Sequence, residues 1–178
     1  MMMKQEALEV LKNRRSIRSF KTDQVSKEEL HIILEAGTYA PTAGGTQAPF
    51  IVAVQNPDTV AKLNAMNAQV LNLPQMQHPY YGAPTILLVF APRNGHAPVT
   101  DASLVGGNLL NAAYAVGLGT CWIHRGKEMF ESEEGKELMQ KWGLPDDLIC
   151  VSTIALGYPA GPQPDAAPRK KDYIMEID

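Results

Sequence analysis

Hydrophobic and polar positions along this chain follow two different periods, which predicts both helices and strands. Apolar residues at helical spacing before Arg14 predict a first helix. Ser26 and Glu29 have the spacing of a capping box and predict a second helix that stops near Gly37. Short apolar runs rich in β-branched residues predict four buried strands, at residues 50–55, 85–90, 119–123 and 149–156.

The remaining segments carry clear start and stop signals. Asn56 followed by Pro57 has the pattern of an N-cap and first helical position, which predicts a helix to about Ala68. Two more helices are predicted at residues 104–116 and 132–142. Residues 71–82 have no period and contain two prolines, so we expect a loop or a lid.

Alternating helices and strands would suggest a parallel, doubly wound sheet. Two observations argue against it. The first strand follows two helices, and no Gly-x-Gly-x-x-Gly fingerprint follows any predicted strand. A nucleotide phosphate, if bound, would therefore be held by side chains and not by a glycine-rich turn.

Composition limits the class of protein. The 178 residues fit one domain, residues 1–178, and 45% of them are hydrophobic, enough for a core. The longest apolar run, residues 86–91, is far too short to span a membrane. Residues 1–6 lack the apolar core of a signal peptide, so we expect a cytoplasmic protein. The net charge of −3 argues against a broad polyanion-binding face.

Metal binding is not indicated by the pattern of ligand residues. Cys121 and Cys150 are far apart and have no metal-ligand spacing, so we expect both to be buried, reduced thiols. The four histidines form no metal-binding signature either. We therefore expect no metal site.

The most informative segment places three guanidinium groups and a hydroxyl within residues 14–18. Arginine binds phosphate well because its planar fork donates two parallel hydrogen bonds, and Ser16 adds a further donor. An isolated Arg-Arg pair at a helix end is better explained as a complement to the helix dipole. The additional Ser16 and Arg18, at alternate positions, favour a site for one compact anion.

Two further segments gain meaning only in combination. Residues 40–50 are mostly small and would let a flat ligand approach the backbone, although an ordinary loop has the same composition. Residues 119–125 form a strand whose end is aromatic and then cationic, which is also compatible with a plain core strand.

Four motifs, taken in order along the chain, resemble those of the nitroreductase family of flavin enzymes. They are Arg-Arg-Ser-x-Arg-x-Phe, Ala-Pro-Thr-Ala-Gly-Gly-x-Gln, Gly-Leu-Gly-Thr-Cys-Trp-Ile and Pro-Arg-Lys. The resemblance runs from about Ala7 to Lys171. It implies an α+β fold around a mixed, mostly antiparallel sheet flanked by helices, built as an intertwined homodimer. It also implies FMN at the dimer interface, with NADH or NADPH as electron donor.

The resemblance also implies roles for individual residues. Arg14, Arg15 and Ser16 would contact the phosphate and ribityl chain, and Arg18 would reach the pyrimidine edge of the flavin. The partner subunit would contribute a loop, and Asn67 would contact the ring. The full set of implied cofactor-binding residues is Arg14, Arg15, Ser16, Arg18, Pro41, Thr42, Ala43, Gln47, Asn67, Trp122, Ile123, His124, Arg125, Arg169, Lys170 and Lys171.

Three functions follow from these residues. The first is a flavin oxidoreductase that passes hydride from NAD(P)H to a nitroaromatic, quinone or similar small-molecule acceptor by a ping-pong cycle, with no obligatory catalytic side chain. The second is a protein that stores or senses FMN without turnover. The third is a small nucleic-acid-binding module, which the acidic pI of about 5.8 disfavours. Residues 159–178 would cross to the partner subunit in the first case, because their proline-rich start favours an extended path.

Overall fold

Four antiparallel strands form the central sheet of this chain. The structure is a computed structural model that describes residues 2–72, 76 and 78–177. The strands are β1 (Phe50–Val54), β2 (Thr85–Pro92), β3 (Gly119–Ile123) and β4 (Leu148–Gly157), in the spatial order β1–β2–β4–β3. All three pairings between these strands are antiparallel, and the register slips once between Val89 and Phe90 of β2. The one parallel pairing in the described residues is a single bridge between Ser16 and Thr120.

Within the described residues, six helices surround this sheet. They are α1 (Met2–Asn13), α2 (Lys27–Thr38), α3 (Pro57–Leu71), α4 (Pro98–Ala115), α5 (Gly126–Glu131) and α6 (Glu133–Lys141), with a single 3₁₀ turn at Ala43–Gly45. Helix α4 begins at Pro98, earlier than the predicted position 104. The added residues, 98–103, carry only one large apolar side chain, Val99, so they show no helical period in the sequence. Helix α5 was not predicted, since a six-residue helix is too short to show a period.

Local capping signals place two helix starts as predicted. The Ser26 hydroxyl accepts a hydrogen bond from the Glu29 backbone N–H at 3.2 Å, and the Glu29 carboxylate accepts one from the Ser26 N–H at 3.3 Å. The Asn56 side chain accepts from the Thr59 N–H at 2.9 Å, ahead of Pro57 at the first helical position. Both contacts satisfy N–H groups that a helix start leaves without partners.

The sheet is covered on both faces, so the fold has three layers. On one face Leu87 and Ile154 pack with Ile33 of α2 and Leu109 of α4. The opposite face packs against α3, α5 and α6 through buried residues that include Leu63, Leu88, Met129 and Leu138. Burial on both faces explains why β2 is a continuous apolar run without alternation. The predicted α+β class is confirmed.

Candidate functional site

Residues 14–18 leave the end of α1 and run beside β3 as an extended segment. The Ile17 backbone N–H donates a hydrogen bond to the Thr120 carbonyl oxygen at 2.8 Å, and Ser16 forms the parallel bridge with Thr120. The Ile17 side chain is buried, and a Cβ at Gly119 would lie 2.8 Å from it. Close packing of Ile17 therefore fixes the position of the flanking arginines relative to the sheet.

Arg14, Ser16 and Arg18 occupy alternate positions of this segment, a grouping that an extended backbone would place on one side. Their effect on Cys121 of the neighbouring strand agrees with this grouping. Burial raises the pKa of the Cys121 thiol, while the Arg18 charge, a hydrogen bond with Ser16 and the Arg14 charge act in the opposite direction. The two arginine charges and the Ser16 hydroxyl thus all act on the Cys121 thiol of β3, an edge strand of the sheet.

Arg15 contacts the backbone at the end of α1 through one of its nitrogens. Its Nη1 donates to the carbonyl oxygens of Lys12 and Arg14, both at 2.8 Å. These contacts satisfy a carbonyl at the C-terminal end of α1, where a cation also complements the helix dipole. Arg15 thus has one nitrogen held at the end of α1, and its predicted contact with a phosphate stays a prediction.

The charge environment of this segment suits an anion. Among the side chains that the structure describes, no carboxylate forms an ion pair with Arg14, Arg15 or Arg18. The hydroxyl of Thr120 and the Nε of Arg15 are buried without a hydrogen-bond partner among the described atoms. Clustered cations and donors without an internal acceptor are what a phosphate group requires, so the donor set fits a phosphate-bearing cofactor.

The start of the C-terminal tail, which we define as residues 159–177, lies on the other side of the arginine segment. Pro159 bridges Phe20, and the Ala160 N–H donates to the Ser19 carbonyl at 3.0 Å. The Gln163 side chain then donates to the Asn13 carbonyl at 2.7 Å. The arginine segment is therefore flanked by β3 on one side and by the tail on the other.

The cations of the tail do not reach this segment within one chain. Arg169 donates twice to the Ala167 carbonyl, and Lys170 lies 5.8 Å from the ring centroid of Tyr173. Lys171, like all residues from 161 to 177, is exposed. No hydrogen bond or ion pair of the described residues joins Arg169 to Arg14.

The loop of residues 41–47 is held by a residue that the sequence did not reveal as part of a site. The buried carboxylate of Asp101, in the first turn of α4, accepts a hydrogen bond from the Ala43 N–H at 3.0 Å. The Thr42 hydroxyl accepts from the Gln47 N–H at 2.9 Å. Gln47 adopts a left-handed backbone with φ of 49°, which is uncommon for a residue with a side chain.

Pro41 and Gln47 are exposed, and Thr42 and Ala43 are half-buried. Within the described residues, no hydrogen bond or ion pair links this loop to the arginine segment. The structure thus brings together residues 14–18 and the strand 119–123, but leaves the loop and the cationic tail apart from them.

The end of β3 forms a sharp turn into α5. Trp122 packs so closely on α4 that a Cβ at Gly106 would lie 2.5 Å from its ring. Ile123 is buried and His124 is exposed, while Arg125 takes a left-handed backbone with φ of 80° at the start of α5. Four of the predicted site residues therefore meet at one edge of the sheet.

Asn67 lies behind this turn and inside the core. Its side-chain amide donates to the His124 carbonyl at 3.0 Å, and its oxygen accepts from the Arg125 Nε at 2.9 Å. The residue is fully buried, so a direct contact with a bound ring would require these hydrogen bonds to open. Tyr80 and Thr153 belong to the same cluster and were not predicted, because single polar residues near apolar runs carry no distinguishing pattern.

Other predicted features have simpler outcomes. Cys121 and Cys150 are both free and buried, as predicted. Residues 73–75 and 77 of the predicted loop or lid lie outside the described residues, while Tyr80 near its end is fully buried. In the described part of the chain, no group of three or more His, Cys, Asp or Glu side chains could hold a metal ion. None of its helices combines the length and apolarity that a membrane crossing needs.

Comparison with known proteins agrees with this architecture. A protein of Methanothermobacter thermautotrophicus with the provisional name NADH dehydrogenase/NAD(P)H nitroreductase is 30% identical over 88% of this chain and 79% of its own length. The FMN reductase (NADPH) of Bacillus subtilis is 25% identical over 86% of this chain and 66% of its own length. The crystal structure of a nitroreductase with bound FMN from Bacteroides fragilis is 25% identical, with a TM-score of 0.85 over 97% of this chain and 99% of that one.

A second solved structure supports the fold. A nitroreductase from Desulfitobacterium hafniense superposes with a TM-score of 0.87 over 97% of this chain at 24% identity. The sequence model of the nitroreductase family matches residues 11–158, which include the arginine segment, the loop and all four strands. On this match, this chain belongs to the nitroreductase family.

Proposed function

We propose that this protein is an FMN-dependent oxidoreductase that transfers hydride from NADH or NADPH to a conjugated acceptor such as a nitroaromatic or a quinone. One observation carries the proposal. In a chain of the nitroreductase family, Arg14, Ser16 and Arg18 all act on Cys121 of the edge strand β3, and no carboxylate among the described side chains forms an ion pair with either arginine. The relatives named as nitroreductase and FMN reductase, and the FMN-bound neighbour, support the same cofactor.

The proposed roles of the residues follow from their charge and position. Arg14, Arg15 and Ser16 would bind the phosphate and ribityl chain. Arg18 would lie at the pyrimidine edge, where a cation stabilises negative charge. Trp122, Ile123, His124 and Arg125 would lie beside the ring. When bound, FMN supplies the hydride chemistry itself, so the protein needs to bind and orient it and to keep it in contact with its reactants.

A homodimer completes the proposed site. Within one chain, no hydrogen bond or ion pair of the described residues connects Arg14 to two groups of predicted site residues. These are the loop residues Pro41, Thr42, Ala43 and Gln47, and the tail cations Arg169, Lys170 and Lys171. Tyr173 and Ile174 of the tail are 73% and 79% exposed, which is unusual for apolar side chains unless they pack on another surface. A second copy would cover these residues and bring its own loop to the site.

The order of donor and acceptor is part of the same proposal. One face of the bound ring would be open to both, and the donor and the acceptor would occupy that face in turn. We therefore propose ping-pong kinetics, which appear as parallel lines in double-reciprocal plots. We also propose a cytoplasmic location, supported by two cysteines that remain free.

The decisive experiment is an absorbance spectrum of the purified protein, followed by anaerobic titration with NADH and NADPH. We expect the two flavin bands of the near ultraviolet and the blue, and their bleaching by one or both donors. A protein that takes up no FMN even when FMN is added would overturn the proposal. Bound flavin that neither donor reduces would indicate a storage or sensing protein.

A further inference from the structure

The backbone at the end of β3 is held by side chains from three distant segments. The Thr153 hydroxyl of β4 donates to the Ile123 carbonyl at 2.9 Å, and the Asn67 amide of α3 donates to the His124 carbonyl at 3.0 Å. Tyr80 donates to the Thr153 hydroxyl at 3.1 Å. Two successive carbonyl groups of the strand end are therefore fixed by side chains and not by the sheet alone.

These side chains form one connected, buried cluster. Asn67 and Thr153 are fully buried and Tyr80 is 1% exposed. The Asn67 amide also lies 3.4 Å from the Tyr80 hydroxyl, so the two carbonyl contacts share a network. Burial raises the pKa of the Tyr80 hydroxyl, which keeps it protonated and able to donate. Buried polar networks specify one geometry because every partner is costly to lose.

The geometry that this network holds is a strained one. Arg125 has a φ of 80°, in the left-handed region that side chains disfavour, and its Nε donates to the Asn67 oxygen at 2.9 Å. Directly after it, a Cβ at Gly126 would lie 2.8 Å from both Cys150 and Thr153, so the turn is pressed onto β4. Strained backbone of this kind persists only where surrounding contacts over-determine it, and it is concentrated at functional sites.

We propose that Asn67, Tyr80 and Thr153 are positioning residues, which hold residues 123–125 in the conformation that contacts the cofactor without touching the cofactor themselves. This inference rests on the proposed function, because it assigns a purpose to the strand end only if FMN binds there. It replaces a direct contact between Asn67 and the ring by an indirect role through His124 and Arg125. The burial of all three side chains behind the turn supports that replacement.

The test compares two matched threonine variants. Thr153 and Thr85 are both fully buried strand residues, and each hydroxyl donates one hydrogen bond and accepts another. Thr85 donates to Gln24, far from the proposed site in the contact network. Thr153→Val and Thr85→Val therefore remove equivalent contacts from a strand, one beneath the turn and one elsewhere. Tyr80→Phe removes the outer member of the same network.

Three measurements separate positioning from general stability. The thermal unfolding temperature of the apoprotein should fall to a similar extent in both threonine variants. Hydrogen exchange of the apoprotein should accelerate at the amides of residues 124–126 in Thr153→Val and Tyr80→Phe, but not in Thr85→Val. The FMN dissociation constant, from fluorescence titration, should rise about threefold to tenfold in Thr153→Val and stay unchanged in Thr85→Val, as expected for one hydrogen bond of ordinary strength.

Each outcome bears on one claim. If Thr153→Val binds FMN as tightly as Thr85→Val and shows no faster local exchange, the network is only structural and the inference is wrong. Equal weakening of FMN binding in both variants would also overturn it, because the loss would then reflect stability alone. If the wild-type protein and Thr85→Val both fail to bind added FMN, the proposed function fails first and this inference fails with it.

Discussion

The Ile17 backbone N–H donates a 2.8 Å hydrogen bond to the Thr120 carbonyl oxygen. This bond connects the arginine segment to β3, the strand that leads into the turn at residues 123–125. This contact brings a cationic segment and a strained turn to one edge of the sheet, although they are far apart in the chain. A ligand that carries a phosphate at one end and a flat ring at the other could contact both. The following predictions test the parts of this arrangement one at a time.

Replacing Arg14 by alanine should weaken FMN binding strongly. Loss of a charge-assisted contact to phosphate costs about 1.5–3 kcal/mol, which corresponds to a dissociation constant roughly tenfold to a hundredfold higher. Lys12→Ala is the matched control, because Lys12 is an exposed cation in the last turn of α1 outside the proposed site and should affect binding much less. Fluorescence titration with FMN measures both variants. Full flavin occupancy of Arg14→Ala after extensive dialysis would show that the phosphate lies elsewhere.

We expect the hydrogen bond that Asp101 accepts to hold the loop of residues 41–47 in position. Asp101→Ala leaves the Ala43 N–H without its acceptor, which should cost about 1–3 kcal/mol of stability and weaken FMN binding. Asp101→Asn keeps an acceptor oxygen and should restore most of both properties. Thermal unfolding and FMN titration of the two variants provide the comparison. Wild-type FMN affinity in Asp101→Ala would remove the loop from the cofactor site.

Cys121→Ser should leave turnover with NAD(P)H largely intact. Burial raises the pKa of this thiol, so it is protonated near neutral pH and a poor nucleophile. The flavin, and not the thiol, is proposed to carry the redox chemistry. Steady-state oxidation of NADH and NADPH by the flavin-loaded variant is the measurement. Complete loss of activity in a folded, flavin-loaded variant would point to a thiol mechanism instead.

Glu29 should make stability depend on pH in the acid range. Hydrogen bonds from Ser26 and Tyr158 lower the pKa of this carboxyl below its ordinary value of 4.5. The folded protein therefore binds this proton less readily than the unfolded chain, so the contribution of Glu29 is present above pH 4.5 and is lost as the pH falls through the lowered pKa. The thermal unfolding temperature of Glu29→Gln should thus vary less with pH in this range than that of the wild type.

The exposed Glu28 in the same helical turn offers the control for this pH effect. Glu28→Gln should keep the acid-dependent loss of stability that the wild type shows. A Glu29→Gln variant with the same pH profile as Glu28→Gln would contradict the assignment of the effect to the Ser26 and Tyr158 contacts.

Two truncations test the role of the tail. Ending the chain after Pro159 removes its cations and its apolar residues, and should reduce both dimer stability and FMN content. Ending it after Lys171 keeps the cations but removes Tyr173, Ile174 and Met175, so it should weaken the dimer more than the phosphate contacts. Sedimentation and flavin absorbance report the two properties separately. An unchanged dimer with full FMN in the shorter chain would rule out a crossing tail.

Local features of the fold could be predicted from the sequence because their signals lie within a few residues. The capping box of Ser26 and Glu29 and the N-cap at Asn56 depend on contacts three residues apart, and both are present. The four apolar runs became the four strands, since a buried strand needs only its own β-branched and apolar side chains.

The sequence alone thus determined the local elements, the family and the cationic character of one segment. Only the tertiary structure decided that Arg15 turns back to its own helix end, that Asp101 holds the loop at Ala43, and that Asn67 lies behind the turn at Arg125. Each of these depends on which polar partner happens to lie within about 3 Å once the layers have packed, and a hydrogen bond of that length tolerates little error in position. Helix periods and strand runs carry no information about such distances, so the contacts between distant segments became visible only in the folded chain.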